Sequence, residues 1–172
     1  MDGGGIQFSS SVATITIDEG SSVGSLVGTL SATGKDAGET LTYSLVSNGQ
    51  SSSQHNSSFT VSGTQILTAA AIDYETTSTL NLKIQVSDGT STYQEAFTVY
   101  VNDVNDNAST DLAVSTSTFA ESVTSGTAVA SITTTDPDSS AGNSFTYRLI
   151  SDNKTNDEDN SSFTISGHSI VT

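Results

Sequence analysis

The 172-residue chain contains no cysteine and no tryptophan, a single proline, and only four basic residues against 19 acidic ones. Each shortage excludes something. Without cysteine there is no disulfide framework and no thiolate metal site, although a protein stiffened by metal needs no disulfides outside the cell, so compartment does not follow. A net charge of −15 excludes nucleic acid and anionic membrane surfaces as natural partners, because both are held by Lys and Arg. It favours a cation-rich setting, or a cationic ligand such as Ca²⁺. No apolar run approaches the ~20 residues that span a bilayer, and the chain is read as not membrane-embedded. Residues 1–11, MDGGGIQFSSS, lack the basic start and long apolar stretch of a signal peptide. The chain is therefore expected to be a fragment of something larger, or to have its export signal elsewhere.

What the chain does have is Ser and Thr, about a third of all residues, and short alternating apolar runs. Thr, Val, Ile and Tyr favour strands, while clusters of Ser, Gly, Asn and Asp favour turns. Alternation predicts strands over Ile15–Ile17, Val27–Ala32, Leu41–Leu45, Phe59–Val61 and Ile66–Leu67. Two longer ones are predicted over Leu80–Val86, with Leu80, Leu82, Ile84 and Val86 inward, and Tyr93–Val101. SDGTS at 87–91 reads as the hairpin turn between them. No helix-period pattern of useful length is present.

The chain repeats itself. SSFTVSGTQILT (57–68) returns as SSFTISGHSIVT (161–172), LTYSLVS (41–47) as FTYRLIS (145–151), and TIDEG (16–20) as TFAES (118–122). The offset stays at 102 to 104 residues, which means tandem domains and not a short-period solenoid. A unit of ~100 residues made of short strands suits a two-sheet sandwich. The expected division is 1–105 and 106–172, the second repeat lacking the counterparts of residues 69–107 and with them its last two strands. An open sheet edge and an uncovered apolar face should result, as in a fragment cut inside a longer array.

The acidic residues are ordered as well as numerous. DEG with Glu19, DYE at 73–75, DVNDN at 103–107, Glu121 and DPD at 136–138 resemble the calcium-binding motifs of cadherin repeats, in order and spacing, over essentially the whole chain. Poor in Lys, Cys and Trp and rich in Ser and Thr, the chain looks more like the cadherin-like repeats of large bacterial surface adhesins than the animal ones. The resemblance implies an all-β fold of tandem Greek-key, Ig-like sandwiches, the second truncated. It also implies an extracellular or cell-surface, calcium-dependent adhesion repeat, stiffened by Ca²⁺ at the interdomain linker, with a protein or glycan on a cell surface as partner. With no tryptophan it does not extend to recognition by exchange of a Trp-bearing strand.

Ca²⁺ takes six to eight oxygen ligands, more than one loop can supply. By the resemblance, Glu19, Asp73, Glu75, Asp103 and Asp106 hold the ions nearer the first domain. Asn105, Asp106, Asp136 and Asp138 hold the one nearer the second, and the carbonyls of Val104, Asn107 and Asn143 complete the shells. Two departures matter. GKD (34–36) stands where the second repeat has DPD, so Gly34 replaces a ligand Asp and Lys35 adds a positive charge; an upstream calcium junction is expected to be absent or crippled. The second repeat also ends before its own DYE, which weakens the ion nearest it, and Glu121 would serve a junction beyond this chain.

Other motifs carry less. DNKTNDEDN (152–160) lacks the turn glycine and final Glu of an EF-hand loop and reads as a solvated loop. Asn56, Asn107, Asn153 and Asn160 begin N-x-[ST] patterns that are mostly chance in a chain so rich in Ser and Thr. His55 and His168 form no Ser-His-acid grouping and no HExxH is present, so no enzyme is expected. An accessory carbohydrate-binding module is the alternative, with Tyr93 and Tyr100 as its aromatic platform.

Overall fold

The computed structural model describes residues 7–8, 15–115, 118–138, 142–151 and 157–172. The chain divides into two compact units, Met1–Val104 and Asn105–Thr172, each an all-β sandwich unit, with the second truncated. Among the described residues there is no α-helix, only the short 3₁₀ turns Ser51–Ser53, Asn56–Ser58 and Asn160–Ser162.

The first unit contains β1 (Gln7–Phe8), β2 (Ile15–Asp18), β3 (Leu26–Thr29), β4 (Ala32–Thr33), β5 (Thr42–Leu45), β6 (Phe59–Ser62), β7 (Gln65–Thr68), β8 (Thr79–Ser87) and β9 (Thr92–Asn102). One sheet runs β2-β9-β8-β5 and the other β3-β7-β6, with β1 paired to β4. β8 shows why this sequence folds here. Its even-numbered residues Leu80, Leu82, Ile84 and Val86 are all buried, the last three completely. Across the ladder they oppose Val99, Phe97, Glu95 and Tyr93. Each fully buried aliphatic side chain contributes about 1.5–3 kcal/mol of transfer free energy. Val27, Phe59 and Ile66 from the second sheet join the same cluster, so the two sheets share one core.

The turn between β8 and β9 has a specific chemistry. Asp88 Oδ1 accepts hydrogen bonds from the backbone N–H of Thr90 (2.8 Å) and of Ser91 (2.7 Å). Gly89 takes φ +97°, a conformation that side chains disfavour. One strand expected from the alternation is instead two. The run Val27–Ala32 breaks because β3 pairs with β7 while β4 pairs with β1; Leu30 between them is buried and donates its N–H to the Thr64 carbonyl at 2.7 Å.

A second device was invisible to alternation. Beyond β5, the edge of β8 is closed by the 3₁₀ segment. His55 Nδ1 accepts from Asn81 N–H (2.9 Å) and Asn56 Oδ1 from Lys83 N–H (3.0 Å), while Asn56 Nδ2 donates to the Val46 carbonyl (3.0 Å). Side chains thus occupy ladder positions that a longer β5 would have filled.

The second unit contains β10 (Asp111–Val114), β11 (Ala128–Thr135), β12 (Thr164–Ser166) and β13 (Ser169–Val171), in one sheet of order β10-β11-β13-β12. Residues 118–121 and 142–151 form no ladder. Phe119 meets Phe163 edge-on, with ring centroids 5.9 Å apart. Among its described hydrophobic residues only Ile132 is buried, whereas Leu112, Val114, Phe119, Leu149 and Ile150 are exposed.

Candidate metal centre

At the end of the first unit three carboxylates converge. Glu19, Glu75 and Asp103 each present an oxygen within 4.8 Å of the others. β2 delivers Glu19 and β9 delivers Asp103, because the two strands run parallel, with Asp18 level with Asn102. Glu75 comes from the turn after Ile72, which is anchored by the Gly20 N–H bond to the Ile72 carbonyl (3.0 Å). Glu19 is buried, and both its oxygens are engaged. Oε2 accepts from Tyr74 N–H and Oε1 from Val104 N–H, each at 2.7 Å. It therefore fixes two of the site's segments as well as contributing charge.

Asp103 makes other interactions, but its Oδ1 atom is buried and accepts no hydrogen bond. Three carboxylates this close repel by about 1–4 kcal/mol per pair, according to how much water intervenes. A cation removes that cost. The donors are all hard oxygens, without thiol or imidazole, and their number suits Ca²⁺ with carbonyls or water completing its shell.

Asp73, expected among these ligands, lies outside the convergent group and is exposed. Its Oδ1 accepts from Thr76 N–H (3.0 Å) and its Oδ2 from the Thr76 hydroxyl (2.9 Å). The Thr76 N–H, then its hydroxyl, hold the Asp73 carboxyl below the usual carboxylate range. Here Asp73 caps its own turn.

In the second unit the remaining expected residues form one hydrogen-bonded network. Asn107 donates from its backbone to Asp138 Oδ2 (2.8 Å) and from Nδ2 to Asp138 Oδ1 and Asp106 Oδ1 (both 3.0 Å). Asp136 Oδ1 accepts from Asp138 N–H (3.0 Å). Asn143 Nδ2 donates to the Asp138 carbonyl (2.6 Å), and Asn105 Nδ2 donates to Asn143 Oδ1. Asp138 is fully buried. Asp106 thus bonds within this second-unit network, and the Asn107 and Asn143 side chains take part in it as well.

Sequence reasoning missed two supporting residues. Asn102 Nδ2 bonds Asp18 Oδ1 (2.7 Å), tying β9 to β2 just before the site. Ser109 Oγ bonds Asp136 Oδ2 (2.9 Å). Asn102 adjoins DVNDN and could have been found there; nothing in the sequence marks Ser109 among so many serines.

The aromatic platform fails on geometry. Tyr93 opposes the inward Val86, while Tyr100 opposes Thr79 on the outer face. Seven residues apart on one strand, the two rings project from opposite faces. The N-x-[ST] asparagines are also committed: Asn56 is buried, Asn107 and Asn160 donate from Nδ2, and Asn153 lies outside the described residues, as do residues 152–156 of the Asp-rich loop. His55 is held against β8, and the His168 ring packs edge-on against Tyr147 at 5.4 Å.

A family model described as Cadherin domain matches residues 13–102, more than half of the chain. The chain belongs to the cadherin family. The crystal structure of human protocadherin-24 EC1-2 is similar at 28% identity, over 96% of this chain and 76% of that one, with a TM-score of 0.68. That of mouse cadherin-23 EC22-24 is similar in fold, at 20% identity over 98% of this chain and 54% of that one, with a TM-score of 0.65. No curated protein matches the chain. This cadherin chain is an adhesion-type extracellular repeat, of a family of adhesion proteins and not of enzymes. No helix among its described residues is long and apolar enough to cross a membrane.

Proposed function

We propose that this cadherin segment is a calcium-dependent spacer of a cell-surface adhesion protein, in which Ca²⁺ bound around residues 103–107 stiffens the tandem repeats. The observation that carries this reading is the convergence of Glu19, Glu75 and Asp103 within 4.8 Å. A cation joining them would remove the repulsion among their charges. Asp73, Asn105, Asp106, Asp136 and Asp138 supply further side-chain oxygens, and Val104, Asn107 and Asn143 supply carbonyls. Asp73 must first leave its Thr76 hydrogen bonds, so it is the ligand most weakly prepared. Another protein on a cell surface is the partner this reading favours.

Calorimetry with CaCl₂ tests the reading. The chain should bind Ca²⁺ with Kd of about 10⁻⁴ to 10⁻³ M, in the range of extracellular modules. Glu75→Ala and Asp106→Ala should each weaken binding or lower its stoichiometry. Glu75 is exposed, so its truncation leaves the fold intact. Unchanged isotherms in both variants would refute the ligand set. Small-angle scattering that is identical with Ca²⁺ and with chelator would refute the stiffening, even if the ion binds.

A further inference from the structure

Asn48–Gly49 is the one Asn-Gly pair in the sequence. It follows β5 at the surface, where both residues are exposed. Asn48 Oδ1 accepts two hydrogen bonds, from the Gln50 N–H (3.1 Å) and from the Ser53 hydroxyl (2.8 Å). Ser53 is buried, and its Oγ also accepts the Asn48 N–H (3.2 Å), so the side-chain amide is held in place. An asparagine folded back onto the N–H two residues ahead sets its Cγ beside the nitrogen in between, here that of Gly49. No described residue accepts the Gly49 N–H. Gly49 has φ +70° and nothing within 4 Å of the place a Cβ would take, so no side chain hinders its nitrogen. An open groove of about 440 Å³, lined by Ser47, Gly49, Gln50, Ser51, Ser53 and Gln54, admits water to the same atoms.

The β8–β9 turn supplies an internal control. Asp88–Gly89 has the same outline, with Asp88 Oδ1 accepting the N–H of Thr90 (2.8 Å) and Gly89 at φ +97°. There the Gly89 N–H is engaged by Ser87 Oγ (3.1 Å). The Asp88 carboxyl, held below its usual range by the N–H groups of Ser91 and Thr90, stays ionised and is a poor target for an attacking nitrogen. At Asn48 the acyl group is neutral and the neighbouring nitrogen is available.

We propose that Asn48 is a self-modification site, which deamidates through a cyclic imide to aspartate and isoaspartate with water as the co-reactant. Hydroxide takes the Gly49 amide proton, the nitrogen attacks Asn48 Cγ, and negative charge develops on Oδ1. The Gln50 N–H and the Ser53 O–H already point at that atom, and bond it more strongly once it is charged. The bond from Cγ to Nδ2 then breaks, and Nδ2, protonated by water, leaves as ammonia. Water adds to either carbonyl of the imide. Opening at Cγ restores the main chain with an aspartate; opening at the main-chain carbonyl routes the chain through the side chain, one methylene longer, as isoaspartate. One water is consumed, one ammonia is released, and nothing is oxidised or reduced. The isoaspartate branch unhooks position 48 from Ser53. It thereby loosens the segment leading to His55 and Asn56, which accept the Asn81 and Lys83 N–H groups of β8. The inference does not depend on the calcium reading.

The test is peptide mapping of the full chain by mass spectrometry after incubation at mildly alkaline pH, with isoaspartate scored by isoaspartyl methyltransferase. Expected are conversion at Asn48 ahead of every other asparagine, both products at that position, and no isoaspartate at Asp88. Ser53→Ala removes one donor to the developing charge and should slow conversion by roughly 2- to 10-fold, the worth of one hydrogen bond. Gly49→Ala, which sets a Cβ beside the attacking nitrogen, should slow it as well. In the converted chain the Asn81 and Lys83 N–H groups should exchange faster with solvent. Conversion at Asn48 no faster than at other asparagines, or aspartate without isoaspartate, would overturn the proposal, and neither result needs a variant that folds. A Ser53→Ala chain that converts as fast as the unsubstituted one would overturn the role of the two donors. Unchanged exchange at Asn81 and Lys83 would overturn the coupling to the β8 edge.

Discussion

LTYSLVS at 41–47 and FTYRLIS at 145–151 are nearly the same words, and they do not form the same structure. In the first unit Thr42–Leu45 is a strand, in register with Ile84–Ser87; in the second, residues 145–150 form no ladder. The pair TIDEG and TFAES behaves alike: Ile15–Asp18 is laddered to Val99–Asn102, and 118–121 forms no ladder. By contrast β3, β7 and β6 have working counterparts in β11, β13 and β12. The dividing rule is partnership. Among the described residues, the second-unit strands that pair are those matching β3, β7 and β6, and the stretches matching β2 and β5, the neighbours of β9 and β8, form no ladder. Local propensity prepares a strand, but its backbone groups need a second strand to pair with.

The largest expected difference between the two stretches is in amide exchange. Local opening can range from about zero to the full stability of a domain, typically 5–15 kcal/mol. Residues 43–45 and 80–86 should exchange only with global opening of the first unit. Residues 145–150 in the chain alone should exchange at rates near those of an open segment. Comparable protection in the two stretches would mean that partnership is not what separates them.

A paired truncation comes next in size. Phe59 is 4% exposed and Phe163 only half-buried. Phe59→Ala should cost about 3–5 kcal/mol, the usual range for a buried aromatic. Phe163→Ala removes an edge-on ring contact and part of a groove wall, and should cost about half as much or less. Urea unfolding monitored by NMR signals from each unit separates the two. Equal losses would show that the second unit has a closed core in solution.

How much could be read in advance follows the same line. The inward face of β8 was legible because period two is a local property, and Leu82, Ile84 and Val86 report it without help from elsewhere. The acidic site was legible as a set, since order along the chain survives folding. Its internal division was not. Whether Asp73 faces a cation or caps Thr76 depends on a side-chain rotamer, and both uses suit an Asp at the start of a turn. The break of Val27–Ala32 into two strands was hidden for a different reason. It reflects two partners, β7 and β1, whose positions are set by tertiary contacts. Asn56 is the clearest loss: one asparagine in a polar run serves both Val46 and Lys83, and nothing in SSSQHNSS distinguishes it.

The smallest expected effect concerns acid sensitivity, whose source is a turn of the first unit. Asp88 sits in the β8–β9 turn of the first unit. The backbone N–H of Ser91, followed by that of Thr90, holds its carboxyl below the usual carboxylate range. A carboxyl whose folded pKa is depressed binds fewer protons folded than unfolded, so it adds stability at a pH above the unfolded value of ~4. That stability is lost as pH falls from there through the lower folded value. Asp88→Asn keeps an acceptor at Oδ1 but cannot titrate. Between about pH 5 and pH 2 the first unit of the unsubstituted chain should therefore lose more stability than the variant, with the two converging towards the acid end apart from a constant offset. The effect is modest, since the group is at the surface and screened by water. Denaturant melts at stepped pH, read on first-unit signals, measure it. Parallel pH profiles would show that the turn's hydrogen bonds do not favour the charged form, and a difference of the same size on second-unit signals would show that the acid response belongs to the chain's overall charge and not to this turn.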